Sequence, residues 1–351
     1  MVLSADAATV SPDPFAGLAG RIDRLHGELG TPVDAARPWL EEWIRCYTDH
    51  DLLVVTVADG NGDLEGFAPL AVRGIGPVRR VVSVGDGHAD HTSVIATTPD
   101  ASARLGRAIR VRLDELRRPW GLHLARLPGG PTTDALVASL PPHGGLNNPI
   151  PCPIVEFDRG RDPLLYETRN ARQAVSRAKG RIRRAGLDLT VGLVTEPDEV
   201  VALLPALLEI HRNRDVQLRG GSGLDRAMVR AHYVGVVRRM AGLGLVRLLT
   251  ARIDGVLAAY ALGVFDAGTL RIYDNRVSPA FLDYSVGNIA NSAVLRAALA
   301  SPDVDALDWG AGDQRYKRST ATSSPVTHDL SAWSSRLAQR AWQTRTAARR
   351  R

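Results

Sequence analysis

Asp308-Trp309-Gly310-Ala311-Gly312-Asp313-Gln314-Arg315-Tyr316-Lys317 is the stretch on which the reading of this chain turns. An apolar run, Val304 to Trp309, leads into two glycines, an acid, a tyrosine and a lysine. Such a pattern predicts a buried strand that opens into a tight loop with a cation at its end. Taken alone, this is a strand, a turn and a solvated basic loop, a common surface arrangement. A lysine beside glycine-rich backbone can also anchor phosphate.

The elements around it follow a recurring plan. Leu245 to Ile253, Val256 to Phe265 and Thr269 to Arg276 read as three strands, with Asp254-Gly255 and Asp266-Ala267-Gly268 as hairpin turns. Ser285 then caps a helix reaching about Leu299, and the strand Val304–Trp309 follows. Upstream, Leu164 to Arg184 reads as a helix with an apolar stripe, and Leu187 to Val194 as a strand. Thr195-Glu196-Pro197-Asp198 reads as the capped start of a helix to about Arg212, and Asp225 to Ala241 as a further helix. The first half repeats the style. A helix from Pro38 to Tyr47 precedes the strands Leu52–Val57 and Leu64–Val72, joined by Asp59-Gly60-Asn61-Gly62. A strand from Arg79, a helix Ala101–Leu116 and a strand Gly121–Leu127 come next. The Pro-, Gly- and Asn-rich segment from Pro128 to Pro153 reads as a connection. Pro325 to Leu330 reads as a last strand and Ala332 to Ala348 as a last helix. The hairpin Leu52–Val72 matches Leu245–Phe265 in plan, as two copies of one α+β unit would.

At 351 residues the chain has room for two domains. The expected limits are a disordered N-terminus at 1–15, one domain at 16–150, a second at 151–335, and a basic tail at 336–351. A net charge of +6 hints at anionic partners, and its distribution says more. Between Arg169 and Arg184 stand seven cations and no acid, and from Ser331 to Arg351 six arginines and no acid. The two cysteines, Cys46 and Cys152, lack ligand spacing and give no disulfide framework, so a reducing cytoplasm is the expected home. No apolar run is long enough to span a membrane. His88-Ala89-Asp90-His91, with Asp86, could ligate zinc, but glycine-rich loops gather His and Asp for turn reasons too; no metal is expected. No Walker loop, dinucleotide fingerprint or serine nucleophile elbow appears.

Several segments, in order, resemble the BioF2-like branch of the GNAT acyltransferases. They are Arg271-Ile272-Tyr273-Asp274, Pro279 to Tyr284, Ser285-Val286-Gly287, and Gly312 to Lys317 as a G-D-x-x-Y-K signature. Leu208 to Arg214 resembles that family's L-H-x-x-R element, Arg169–Arg184 its basic helix, and Gly85 to His91 a segment of its first half. The resemblance spans most of residues 40–335 and extends to the Fem-type aminoacyltransferases. Two features depart from it: the Q/R-x-x-G-x-G/A pyrophosphate loop of ordinary GNATs is absent, and Val286 stands where proline is frequent.

The resemblance implies an α+β chain of two tandem GNAT-like folds, with mixed, mostly antiparallel sheets flanked by helices. It implies N-acyl transfer from acyl-CoA, acetyl-CoA above all, to a small-molecule or peptide amine by direct attack in a ternary complex. Such transfer needs a proton acceptor and a group that stabilises the oxyanion. Asp274, Tyr316 and His211 are the candidate catalytic residues. Ser285, Val286, Gly287, Lys317 and Arg318 are candidates for donor phosphates, at a helix N-terminus and a basic loop. Asp90, Tyr273 and Arg214 are candidates for the acceptor. Two alternatives stand beside this: a Fem-type enzyme whose donor is aminoacyl-tRNA, favoured by the basic helix, and a non-catalytic nucleic-acid-binding protein. With aromatics at 5%, a single-strand stacking surface has few residues to draw on.

Overall fold

The computed structural model describes residues 14–75 and 78–348. The disorder expected at 1–15 therefore lies, through residue 13, outside the described residues, as do Arg349, Arg350 and Arg351 of the expected tail. The chain opens with α1 (Ala19–Leu29), α2 (Arg37–Cys46), β1 (Asp51–Ala58), β2 (Leu64–Ile75), β3 (Val78–Ser83) and β4 (Ile95–Ala96). Next come α3 (Pro99–Asp114), β5 (Trp120–Pro128), α4 (Pro131–Ala138), β6 (Gly144–Pro151) and β7 (Ile154–Glu156). Then follow α5 (Arg169–Arg184), β8 (Leu189–Val194), α6 (Pro197–Arg219), α7 (Ala227–Gly242), β9 (Val246–Ile253), β10 (Val256–Asp266) and β11 (Thr269–Val277). The last are α8 (Val286–Ala300), β12 (Ala306–Asp308), α9 (Arg315–Arg318), β13 (Val326–Trp333) and α10 (Arg336–Ala348).

These elements form two compact units, one of residues 1–150 with 326–351, the other of residues 151–325. In the first, the strand order is β1-β2-β3-β5-β13-β6, with β4 paired to β2. In the second it is β7-β12-β11-β10-β9-β8. The two sheets share a plan. An antiparallel run, β1-β2-β3 or β9-β10-β11, feeds a helix, α3 or α8, which returns a strand parallel to the last one. Parallel neighbours need such a crossover, and a helix satisfies its own backbone on the way. This is the α+β tandem arrangement expected from the sequence.

Local chemistry explains the elements. At the start of α3, Thr98 Oγ1 accepts the Ala101 amide at 3.1 Å and Pro99 occupies the first turn. Leu105, Ile109 and Leu113 then recur every four residues and are buried, each contributing roughly 1.5–3 kcal/mol. Strand β10 is buried from Leu257 to Val264, so its near-continuous apolar run is covered on both faces. The hairpin turns fall where glycine supplies positive φ: Asp254-Gly255 (48° and 78°) and Ala267-Gly268 (45° and 75°).

Four details differ from the sequence expectation. The segment 128–153 is not a bare connection; it holds α4 and β6. The strand at 326–333 joins the first sheet, between β5 and β6, so the first unit takes it back from the stretch assigned to the second domain. Helix α6 runs on to Arg219, past Arg212, and starts after Glu196 with no side-chain cap, so Thr195 does not cap it. Helix α1, with Ile22 and Leu25 in the core, was not anticipated.

Candidate active site

The site is built on β11, where one extra residue changes which face each side chain meets. β11 pairs with β10 in a register that shifts between Leu262↔Asp274 and Gly263↔Ile272, so Tyr273 is a bulge residue. Without it, Ile272 and Asp274 would share a face. With it, Ile272 joins the core that holds Val286 and Ile289 of α8, while Asp274 turns to α6 and α7. Tyr273 stacks on Tyr233 of α7, ring centroids 5.6 Å apart.

Asp274 is 6% exposed and is the hub of a polar cluster. Its Oδ2 accepts from Tyr260 Oη at 2.5 Å, His211 Nδ1 at 2.9 Å and Tyr233 Oη at 3.1 Å. Its Oδ1 faces Arg276 Nη1 at 3.0 Å. Burial works to raise its pKa, but the His211 hydrogen bond and the Arg276 charge outweigh it and hold the carboxyl below the usual range. Burial and the Asp274 charge push both phenols, Tyr233 and Tyr260, well above their usual range, so they stay protonated donors. Asp274 is therefore an ionised anchor for the groups around it: its lone pairs are taken and its proton affinity is low.

That anchoring defines His211. With Nδ1 donating to Asp274, the lone pair sits on Nε2. Nε2 lies 3.3 Å from Arg276 Nη2 and 3.3 Å from Asp215 Oδ2. A neutral imidazole accepts from Arg276; an imidazolium donates to Asp215. Asp215 is itself buried and held by Ser222 Oγ at 3.1 Å. The network thus provides a partner for either protonation state of one ring nitrogen.

β12 pairs with β11 over Thr269–Arg271, and the pairing stops at Arg271↔Asp308, where β12 ends. Further along β11, Asn275 Nδ2 donates to Tyr316 Oη at 3.1 Å and Asn291 Oδ1 of α8 at 3.2 Å. Burial raises the Tyr316 pKa, so its hydroxyl keeps its proton. Helix α8 begins at this end of β11, after Ser285 at φ 53°.

The Asp308–Lys317 loop is held by its own side chains. Asp308, 1% exposed, pairs with Arg271 at 2.8 Å and accepts the Gly310 amide at 2.8 Å. Lys317 is buried, and its Nζ donates to the Ala311 carbonyl at 2.8 Å and the Gly310 carbonyl at 3.2 Å. The ammonium is thus a clamp for the loop, because glycine turns expose carbonyls as readily as amides. Gly310 (φ 71°) and Gly312 (φ 117°) permit the turn, and the clamp sets Tyr316 against Trp309, centroids 5.5 Å apart.

Other expected site residues are placed as follows. Ser285 stands before α8, but its side chain makes no cap. Val286 is fully buried core. A Cβ on Gly287 would meet Val277 Cγ2 at 2.8 Å, so this glycine serves close helix–strand packing. Arg318 is exposed and pairs with Asp313 at 3.1 Å. Arg214 donates to Gln217 at 2.5 Å. Asp90, in the first unit, donates its amide to Asp34 at 2.8 Å, and His91 Nδ1 meets the same carboxylate at 2.9 Å. Among the described residues no group of three His, Cys, Asp or Glu is arranged to hold a metal ion.

Sequence reasoning missed Tyr233, Tyr260, Asn275 and Arg276. Tyr260 carried a signal, as the single hydroxyl in the apolar run Val256–Phe265. It also missed Arg181 of α5, whose Nε is buried without a hydrogen-bond partner among the described residues. Its Nη2 lies 3.5 Å from the Tyr284 carbonyl, one residue before Ser285. An orphaned guanidinium N–H beside a helix N-terminus fits an anion there.

Comparison with known proteins agrees with this geometry. Residues 169–318 match the family model described as an acetyltransferase (GNAT) domain. Three solved structures resemble the chain at low identity, which speaks to fold alone. The C-terminal domain of a putative lysylphosphatidylglycerol synthetase from Agrobacterium fabrum has a TM-score of 0.53 at 12% identity, covering 92% of this chain and 94% of that one. FemX has 0.53 at 11%, covering 86% and 92%. A tandem GNAT protein from the clavulanic acid biosynthesis pathway has 0.51 at 15%, covering 90% and 95%. No curated protein matches the chain. Residues 169–318 thus match a GNAT acetyltransferase domain, and the chain's α+β fold is similar to that of the tandem GNAT protein.

Proposed function

We propose that the chain is an N-acyltransferase of BioF2-like type, moving an acyl group, acetyl in the simplest case, from acyl-CoA to an amine. The observation that carries this is that β12 stops at Arg271↔Asp308, leaving the end of β11 without a strand neighbour on that side, where Asn275 bonds Tyr316 and α8 starts; we read this as a gap between the strands. The acyl thioester would lie in this gap. Donor phosphates would sit at the α8 N-terminus, within reach of Arg181, which has an N–H to give.

The chemistry is direct. The amine nitrogen attacks the thioester carbonyl, the C–N bond forms, and the C–S bond breaks. The proton lost by the amine would pass to His211 Nε2 through water around the end of β11. Asp274 keeps Nδ1 protonated and stabilises the resulting imidazolium, which Asp215 then pairs. Tyr316 supplies a hydrogen bond to the departing sulfur. Its raised pKa makes it a poorer acid than a thiol, so it stabilises the thiolate without surrendering its proton. Tyr273, beside Tyr233, and Arg214 would flank the acceptor on the His211 side. Arg318, on the exposed loop, would add charge toward the donor. The chain's two cysteines form no disulfide, which supports a cytoplasmic site of action. No described helix is long and apolar enough to cross a membrane.

The test is calorimetric titration with coenzyme A, with mass spectrometry of the products formed from acetyl-CoA and a panel of small amines and peptides. Absence of coenzyme A binding would sink the reading. The rival donor, aminoacyl-tRNA, has one observation in its favour: Arg177, Lys179, Arg183 and Arg184 are all exposed on α5. It predicts binding of charged tRNA that falls steeply with salt.

A further inference from the structure

A basic depression in the first unit is lined by none of the acyl-transfer residues. The depression is an open groove of about 740 Å3 at the sheet edge, where β6 and β13 meet α10. Arg336 and Arg340, one helical turn apart, both line it, with Gln343, Asn147 and Trp333. No acidic residue lines it, and none occurs from Ser331 to Arg351. Gly145 also lines it, and a Cβ there would meet nothing within 4 Å, so the backbone is open to a ligand.

The arginines are placed against local stability. Arg336 is the first residue of α10, where the helix dipole disfavours a cation. Arg340 repeats the charge four residues on, and like charges at that spacing repel. An anion bound between them turns both penalties into attraction. The volume lies within the range of pockets for molecules of nucleotide size. The amide of Asn147 offers both a donor and an acceptor to an organic moiety.

We propose that this groove binds a phosphorylated small molecule of the nucleoside diphosphate class, its phosphates between Arg336 and Arg340. The test is calorimetric titration of the full chain at low salt with UDP, with uridine as the phosphate-free control. UDP is preferred to ADP because an adenine nucleotide forms part of coenzyme A and would report on the donor site. UDP is expected to bind and uridine to fail. Arg336→Ala and Arg340→Ala should each weaken UDP by about 10- to 100-fold, the worth of a charge-assisted contact. Arg340→Lys, which keeps the charge, should retain more of the affinity, and circular dichroism should show all variants folded. Arg181→Ala should leave UDP affinity unchanged. No UDP binding by the unmodified chain would overturn the proposal. So would binding indifferent to both arginines, or binding lost on Arg181→Ala.

Discussion

Replacing Asp274 with asparagine tests the hub of the acyl-transfer cluster most directly. The carboxylate accepts three donors on Oδ2 and meets Arg276 at 3.0 Å on Oδ1. Asparagine keeps the shape but has one oxygen. If that oxygen serves the phenols and His211, its NH2 group confronts Arg276; if it is flipped, the NH2 confronts three donors. Removing one partner of a buried pair costs roughly 3–5 kcal/mol, and the retained oxygen returns part, so about 3 kcal/mol is expected. With a slope of about 2 kcal/mol per M, the second unit's urea midpoint should fall by about 1.5 M. The pH dependence fixes the sign. Asp274 has a folded pKa below its unfolded value, so its stabilisation is present above about pH 4 and is lost as pH falls through the folded pKa. Asp274→Asn should remove that acid-side loss. Turnover should also fall, by roughly 10²- to 10⁴-fold, because His211 loses the group that fixes its tautomer. A midpoint shift below about 0.3 M at pH 7, or turnover within about 3-fold of the parent, would refute the reasoning.

His211→Gln should lower kcat by roughly 100-fold or more while coenzyme A affinity holds, as single-turnover and binding measurements would show. Lys317→Ala should cost about 1–3 kcal/mol by freeing the Gly310 and Ala311 carbonyls, read as a lower Tm; a selective loss of coenzyme A affinity without destabilisation would contradict the clamp. Gly287→Ala should destabilise by about 1–3 kcal/mol, because its methyl meets Val277, and denaturant titration would measure it. His26 in α1 is buried, and burial lowers its pKa to about 4. Its contribution is full above the unfolded pKa near 6.5 and is lost as pH falls toward 4, at most about 3 kcal/mol. Unfolding curves at pH 7 and pH 4.5 should show that loss, and His26→Leu should reduce it.

What could be read in advance was governed by locality. The turns at Asp254-Gly255 and Ala267-Gly268 carry their own φ requirements, so three strands and their order were legible from adjacent residues. Repetition of the strand–helix–strand plan was legible for the same reason. The place of Val326–Trp333 was not, because its partners lie some two hundred residues earlier and its composition says nothing of which sheet it joins. In the candidate site, His211 and Asp274 could be named, but their division of labour could not. It depends on the Tyr273 bulge, a register event that leaves no mark in one strand's sequence. The partners of Lys317 were not legible for a physical reason: glycine loops suggest amides for an anion, and here the loop offers carbonyls to the ammonium.

The position of β13 carries one more consequence, for the order in which the chain acquires its structure. β13 lies inside the first sheet, between β5 and β6, so that sheet cannot close until residue 333 has left the ribosome. The second unit, residues 151–325, is contiguous and finished by then. The unit that begins first is therefore the one completed last. In the interval, while residues 129–325 are made, β5 offers an open edge to any passing strand, and this is the chain's period of greatest exposure to aggregation.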